Sequence, residues 1–251
     1  MPLQTIDEVI ARLDEIIHEA RRERSRLGYF TTLYRNVTVK VKEGIAAGLF
    51  ENGERMGRFD VIFANRYLAA FESFKRGERP SKCWLVSFEA AADWPPIIVQ
   101  HLLLGINAHI NFDLGVAAAE VAPGDELPTL KHDFDLINGI LASLMVKVKH
   151  DIEEVSPWIK MLDMVAPMTQ DKFINFSLER ARICAWNVAV KMNSLTPDER
   201  AGELTRLDWE VAVLARLLRR PAGFFVNAAL LVIRLRESSD VPHVIDVLAQ
   251  V

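Results

Sequence analysis

The sequence predicts an all-α fold: a single-domain multi-helix bundle over residues 1–251, built around a buried central helix that carries polar groups. Three observations predict it. Apolar residues recur at helical spacing along the whole chain, helix-start signals stand ahead of them, and the best strand candidate is the short alternating run Val37–Val41. With 50% hydrophobic and 25% charged residues, the composition supplies an ample core.

Taken in order, Thr5-x-x-Glu8 forms a capping box, and Ile6, Val9, Ile10, Leu13, Ile16 and Ile17 share one apolar face. A second helix is expected over 30–50. Asn52-Gly53 marks a turn before a third helix over 58–75, which Gly77–Pro80 breaks. A fourth runs over 82–92. Pro95-Pro96 opens the central helix, 96–121, with proline suited to its first turn. After the loop Pro123–Pro128, helices follow over 129–155 and 169–193, separated by a short segment from Ser156-Pro157 to Pro167. Thr196-Pro197-Asp198-Glu199 joins a capping box to a first-turn proline and opens a helix over 197–219. Pro221 and Asp240/Pro242 start two last helices.

Bulk properties exclude several classes of function. Net charge is −4 with signs mixed along the chain, so no nucleic-acid footprint is expected. The basic run Arg21–Arg26 reads as a solvated helix end, where cations are favoured. Two cysteines supply neither a disulfide framework nor a metal knuckle, and Cys184 reads as a core thiol. The N-terminus reads as an amphipathic helix, not a signal peptide, and no membrane span is expected because no stretch reaches 18 uninterrupted apolar residues. A cytoplasmic protein is the expectation. Nucleophile elbows, P-loops, GxGxxG and CxxC motifs do not occur.

The informative stretch is Gln100–Gly115. It places His101, Gly105, His109 and Asp113 at four-residue intervals, which at about 100° per residue span roughly a 120° stripe of one helix face. Asn107 and Asn111 form a second stripe nearly opposite, suited to helix–helix hydrogen bonds or to substrate binding. In so apolar a helix these groups need buried partners. His109 and Asp113 lie within mutual reach. They suit either a divalent metal ion shared with His101, or a hydrogen bond that fixes the His109 tautomer for acid–base work. A purely structural polar network is the competing reading. Gly105 leaves room for a ligand or for a close helix crossing.

Neighbouring helices offer partners. Asp60 and Tyr67 project into the apolar sector of helix 58–75, where Asp60 is a metal-ligand candidate or an N-terminal cap and Tyr67 a substrate contact. Asp133 sits at the edge of the core sector of helix 129–155, as a further metal ligand or a first-turn carboxylate, whereas His132 and Asp135 point elsewhere. In helix 169–193 the expected core sector of Phe173, Phe176, Ile183 and Val190 includes Arg180 and Asn187. Arg180 is then an anion-neutralising residue or half of an ion pair, and Asn187 a substrate contact. Trp94, Trp186 and Trp209 are expected in core or pocket. Phe224, Phe225 and Leu230–Ile233 are expected in the core, or at a dimer interface.

The segments Arg58–Leu68 (RFDVIFANRYL) and Leu104–Leu114 (LGINAHINFDL) together resemble a mostly bacterial family of unknown function, marked by RFDxxFANRYL and NAHINxDL. The resemblance implies a compact helical domain and directs attention to Asp60, Asn65, Arg66, Tyr67, Asn107, His109, Asn111 and Asp113. It implies no activity. Three functional readings follow. One divalent ion on His101, His109 and Asp113, with Asp60 or Asp133, would activate water against a small, partly apolar substrate. Without metal, His109 would act as acid or base, oriented by Asp113, in an isomerisation, cyclisation or elimination. The third is a non-enzymatic helical protein that binds an apolar ligand or a partner.

Overall fold

Helix α1, Ile6–Glu23, begins at the expected capping box: Thr5 Oγ1 accepts from Glu8 N at 3.2 Å and Glu8 Oε2 accepts from Thr5 N at 3.2 Å. The structure is a computed structural model that describes residues 2–161 and 170–250, and the side chains of all of these but 170–177. Helices α2 (Leu27–Ala46), α3 (Gly53–Lys75) and α4 (Lys82–Ala90) follow. The central column is α5 (Ile98–Ala108), a π-helical turn (His109–Leu114) and α6 (Gly115–Val121). Then come α7 (Leu127–Val155), α8 (Gln170–Ser194), α9 (Pro197–Arg219), α10 (Phe224–Arg236) and α11 (Val241–Leu248). The fold is all-α, as expected, with no strand among the described residues.

Val37–Val41 is helical, inside α2. Its alternation gives way because Tyr34 and Val41 are buried in apolar clusters at helical spacing, and tertiary packing overrides β propensity. Helix α3 starts five residues before the expected Arg58, at the Asn52 cap, whose side chain accepts from Arg55 N at 2.9 Å. Pro95 and Pro96 precede α5 instead of entering it. Part of the expected segment up to Pro167, and the side chains of Phe173 and Phe176, lie outside the described residues.

The column Ile98–Val121 is long and apolar enough to cross a membrane by composition, yet it is the enclosed core helix, mostly buried. Helices α2, α3, α4, α8 and α9 pack around it. Two close crossings fix its position. A Cβ on Gly105 would lie 2.2 Å from Phe30 Cγ, and one on Gly115 would lie 2.3 Å from the Ala185 carbonyl oxygen. Small residues are therefore obligatory where α2 and α8 cross the column.

That second crossing corrects the phase of α8. Its buried face is Ala185, Ala189 and Met192 with Arg182, while Ile183, Val190, Arg180, Asn187 and Cys184 are exposed. Counting bulky residues selects the wrong sector here, because a helix approaching backbone to backbone buries alanines. Trp94 and Trp209 are likewise exposed, and Trp186 half-buried against Phe134. Arg21 and Arg24 of the basic run close α1 and pair with Asp246 and Asp240 of the α11 region, at 2.7 and 2.9 Å.

Candidate functional site

His109 opens the π-helical turn, an element found frequently at functional sites. It is 3% exposed, and neither ring nitrogen has a hydrogen-bond partner among the described residues. Its ring lies flat on Phe63, with centroids 3.6 Å apart and planes at 8°, and edge-on to Tyr34 at 4.3 Å. Phe30, Trp84 and Tyr67 complete an aromatic box at 5.7 to 6.1 Å. A buried imidazole normally finds a partner, so an orphaned one demands a reason.

The nearest polar group is the Asp113 carboxylate, with Oδ2 3.6 Å from His109 Nδ1. That separation is too long for a hydrogen bond, and a shift of about half an ångström would close it. Asp113 is held from two other helices. Trp84 of α4 donates its indole N–H to Oδ2 at 2.8 Å, and Arg66 of α3 donates Nε–H to Oδ1 at 2.9 Å. Burial pushes the His109 pKa below its ordinary value, with the Asp113 carboxylate opposing and Arg66 adding to the fall.

The pair stands between two spaces. On one side His109, Tyr34 and Phe63 line an apolar cavity of about 70 Å³, together with Val37, Leu141 and Arg182. On the other side Asp113, Arg66 and Trp84 form the floor of a groove of about 770 Å³. Leu3 walls the groove, gripped by Asn65, whose side chain accepts from Leu3 N and donates to Leu3 O, both at 2.9 Å.

Two further buried groups carry orphaned atoms: Tyr34, which lines the cavity, and Asp60, whose charge acts on Tyr34. The Tyr34 hydroxyl makes no hydrogen bond of good geometry among the described residues, and burial, with the charges of Asp60 and Asp113, raises its pKa against an opposing effect of the Thr38 hydroxyl. Asp60 Oδ2 is also unpartnered, and burial raises that carboxyl to about 7. Asp60 lies well inside α3 and caps nothing, because the helix begins at Gly53.

Apart from Tyr67, the other expected residues are not brought to this place. Gly105 admits the Phe30 ring, so of the two expected uses of its space the close helix crossing takes it and no ligand room is left there. His101 is two turns away, about 12 Å along the axis, where it packs edge-on to Tyr29 at 5.8 Å. Burial and the charges of Arg26 and Arg234 push its pKa down to about 3. Asp133 holds the turn that leads into α3: Oδ1 accepts from Glu51 N at 2.8 Å, and Oδ2 from Asn52 N at 3.0 Å, with Arg55 Nη2 3.5 Å away. The expected metal set of His101, His109, Asp113, Asp60 and Asp133 is therefore dispersed. No group of three metal-ligating side chains converges among the described residues.

Asn107 donates to the Val211 carbonyl at 3.1 Å and accepts from Asn111 at 2.9 Å, joining the column to α9. Tyr67 shares a 2.7 Å hydrogen bond with Thr31 inside the aromatic box. Asn187 and Arg180 face outward. The buried cation of α8 is Arg182, which donates to the Phe134 carbonyl and to Asn138 and lies 4.3 Å over the Phe134 ring. Burial lowers its pKa to about 10. Trp84 and Phe30 escaped the sequence reading. An indole on the buried face of a short helix, in need of a buried acceptor, was the available signal for Trp84.

The model of a family described as a family of unknown function (DUF5995) matches residues 6–221, a span that contains both the Arg58–Leu68 and Leu104–Leu114 segments. No curated protein and no solved structure matches the chain.

Proposed function

We propose, for a chain that belongs to the DUF5995 family of unknown function, that the His109–Asp113 pair is a metal-free acid–base site acting on a small, mainly apolar molecule held in the adjoining cavity. One observation carries this reading: His109 is buried, lines that cavity, and leaves both nitrogens unpartnered. Orphaned buried groups are costly and each calls for a reason, and at His109 the adjoining cavity supplies a catalytic one.

The chemistry follows from the surroundings. Burial favours the neutral imidazole, the form able to accept a proton. Closing the 3.6 Å gap would let Nδ1–H donate to Asp113, which fixes the tautomer and leaves Nε2 as the base. As Nε2 takes a proton, the imidazolium is stabilised by the adjacent carboxylate, whose position Arg66 and Trp84 fix. The aromatic box excludes water, which suits a proton shift within one molecule, as in an isomerisation or cyclisation, better than hydrolysis.

Phenol, a small apolar ring with one hydroxyl, tests the site. NMR titration should shift the His109 ring signals of the wild type, and His109→Phe should bind phenol roughly tenfold more weakly, the contribution of a hydrogen bond to a buried acceptor. Unshifted His109 signals, or equal binding by the variant, would make the pair a structural feature and sink the proposal.

A further inference from the structure

Helix α10 carries large apolar residues on its outer face as well as on its inner one. Its inner face seats Ala229, Leu230 and Ile233 on the core. Its outer stripe, at helical spacing, is Phe224, Ala228, Leu231 and Leu235, with Phe225 beside it. Phe224 is 81% and Phe225 75% exposed at the helix tip, and Leu235 is 64% exposed at the far end. A surface helix ordinarily turns a polar face outward, so this face is built for contact.

Charge identifies what covers it. From Val211 to Arg236 the chain contains no acidic residue and five arginines: Arg216, Arg219, Arg220, Arg234 and Arg236. Arg219 is turned inward to Asp93 and Glu89, and Arg234 to Glu237. Arg216, Arg220 and Arg236 remain exposed, with Arg220 one turn ahead of Phe224 and Arg236 next to Leu235 in the chain. Arg236 extends over the half-exposed Trp158 ring at 5.2 Å. A two-fold contact between copies of this chain would bring these arginines together with no carboxylate from this stretch to meet them. An anionic lipid surface complements the pattern: apolar side chains enter the acyl boundary while the flanking cations meet headgroup phosphates.

We infer that the Phe224–Leu235 stripe, with Arg216, Arg220 and Arg236, docks the protein peripherally on anionic membranes. The face lies outside the His109 site and does not depend on it.

The full chain should co-sediment with phosphatidylcholine vesicles that contain phosphatidylglycerol, less so as salt is raised, and not with phosphatidylcholine alone. The double variant Phe224→Ser/Phe225→Ser, altered only at exposed positions and checked for an unchanged melting temperature, should partition about tenfold more weakly or worse. Arg220→Gln and Arg236→Gln should each weaken partitioning about fivefold and flatten its salt dependence. Absent binding to anionic vesicles, or equal binding to neutral ones, overturns the inference. So does a wild-type dimer that dissociates in the double variant without any vesicle binding, which would give the face to a second copy.

Discussion

Asp113 stands 3.6 Å from His109 Nδ1 through the same oxygen that accepts the Trp84 indole, while its other oxygen is tied to Arg66. The imidazole thus sees a carboxylate already engaged by two donors. Arg66 has two effects on His109: its charge opposes the imidazolium, and it holds the carboxylate in place. Arg66→Met removes both. The His109 pKa should rise as the carboxylate turns toward Nδ1, and NMR of the ring carbons against pH reads the change. The variant should also lose about 2 kcal/mol of stability, less than for a fully buried pair because Arg66 is partly exposed. A His109 pKa that falls or stays fixed would show that Arg66 does not govern the pair.

The two buried histidines make the fold acid-sensitive. His101 falls from the ordinary 6.5 to about 3, and His109 falls too. Between the folded and unfolded values the unfolded chain binds protons that the fold excludes. Stability therefore rises with pH across that window, and is lost as pH falls below about 6.5. Asp60 and Glu237, each raised to about 7, act with the opposite sign, so the histidine contribution must be isolated by difference. Between pH 7 and pH 5 the wild type should lose about 2 kcal/mol relative to His101→Phe in urea unfolding. Parallel pH profiles would contradict a buried, neutral His101.

Asp60 tests whether the cavity region trades stability for charge. Its folded pKa of about 7 lies above the ordinary 3.8, with burial as the cause. Its favourable contribution is complete below pH 3.8 and is lost as pH rises through 7, where a buried, unpartnered carboxylate must ionise. Asp60→Asn should therefore stabilise the protein at pH 8, by on the order of 3 kcal/mol, and change little at pH 4. Thermal unfolding at the two pH values checks this, and stabilisation equal at both would place the cause in packing instead of ionisation.

Much of the architecture was legible because it rests on local signals. The boxes at Thr5 and Thr196 start their helices, and Phe134, Ile137, Leu141, Leu144 and Val148 line the buried face of α7 as their spacing requires. The juxtaposition of His109 with Asp113 was legible for the same reason. Features set by contact between helices were not. The α8 phase depends on alanines meeting Gly115, the role of Gly105 on Phe30 some 75 residues earlier, and the anchoring of Asp113 on Trp84 and Arg66 from two other helices. A helical wheel assigns faces but cannot say which neighbour approaches closely. It therefore made one stripe of His101 and His109, which the Phe30 ring separates.

That separation is testable at Gly105. Within a helix alanine is favoured over glycine by about 1 kcal/mol, so intrinsic propensity predicts that Gly105→Ala stabilises. The structure predicts the reverse. The new methyl group would lie 2.2 Å from Phe30 Cγ, 2.4 Å from Cδ2 and 2.7 Å from Cβ. Rotating the ring cannot move Phe30 Cβ, and the ring itself is hemmed in by Tyr34, Tyr67, Trp84 and His109. Overpacking against so rigid a neighbour should cost about 3 kcal/mol or more and disturb the His109 ring signals. The same substitution made in a Phe30→Ala background should cost far less, because only the Cβ contact remains. Equal costs in the two backgrounds would show that Phe30 is not the residue for which Gly105 makes way.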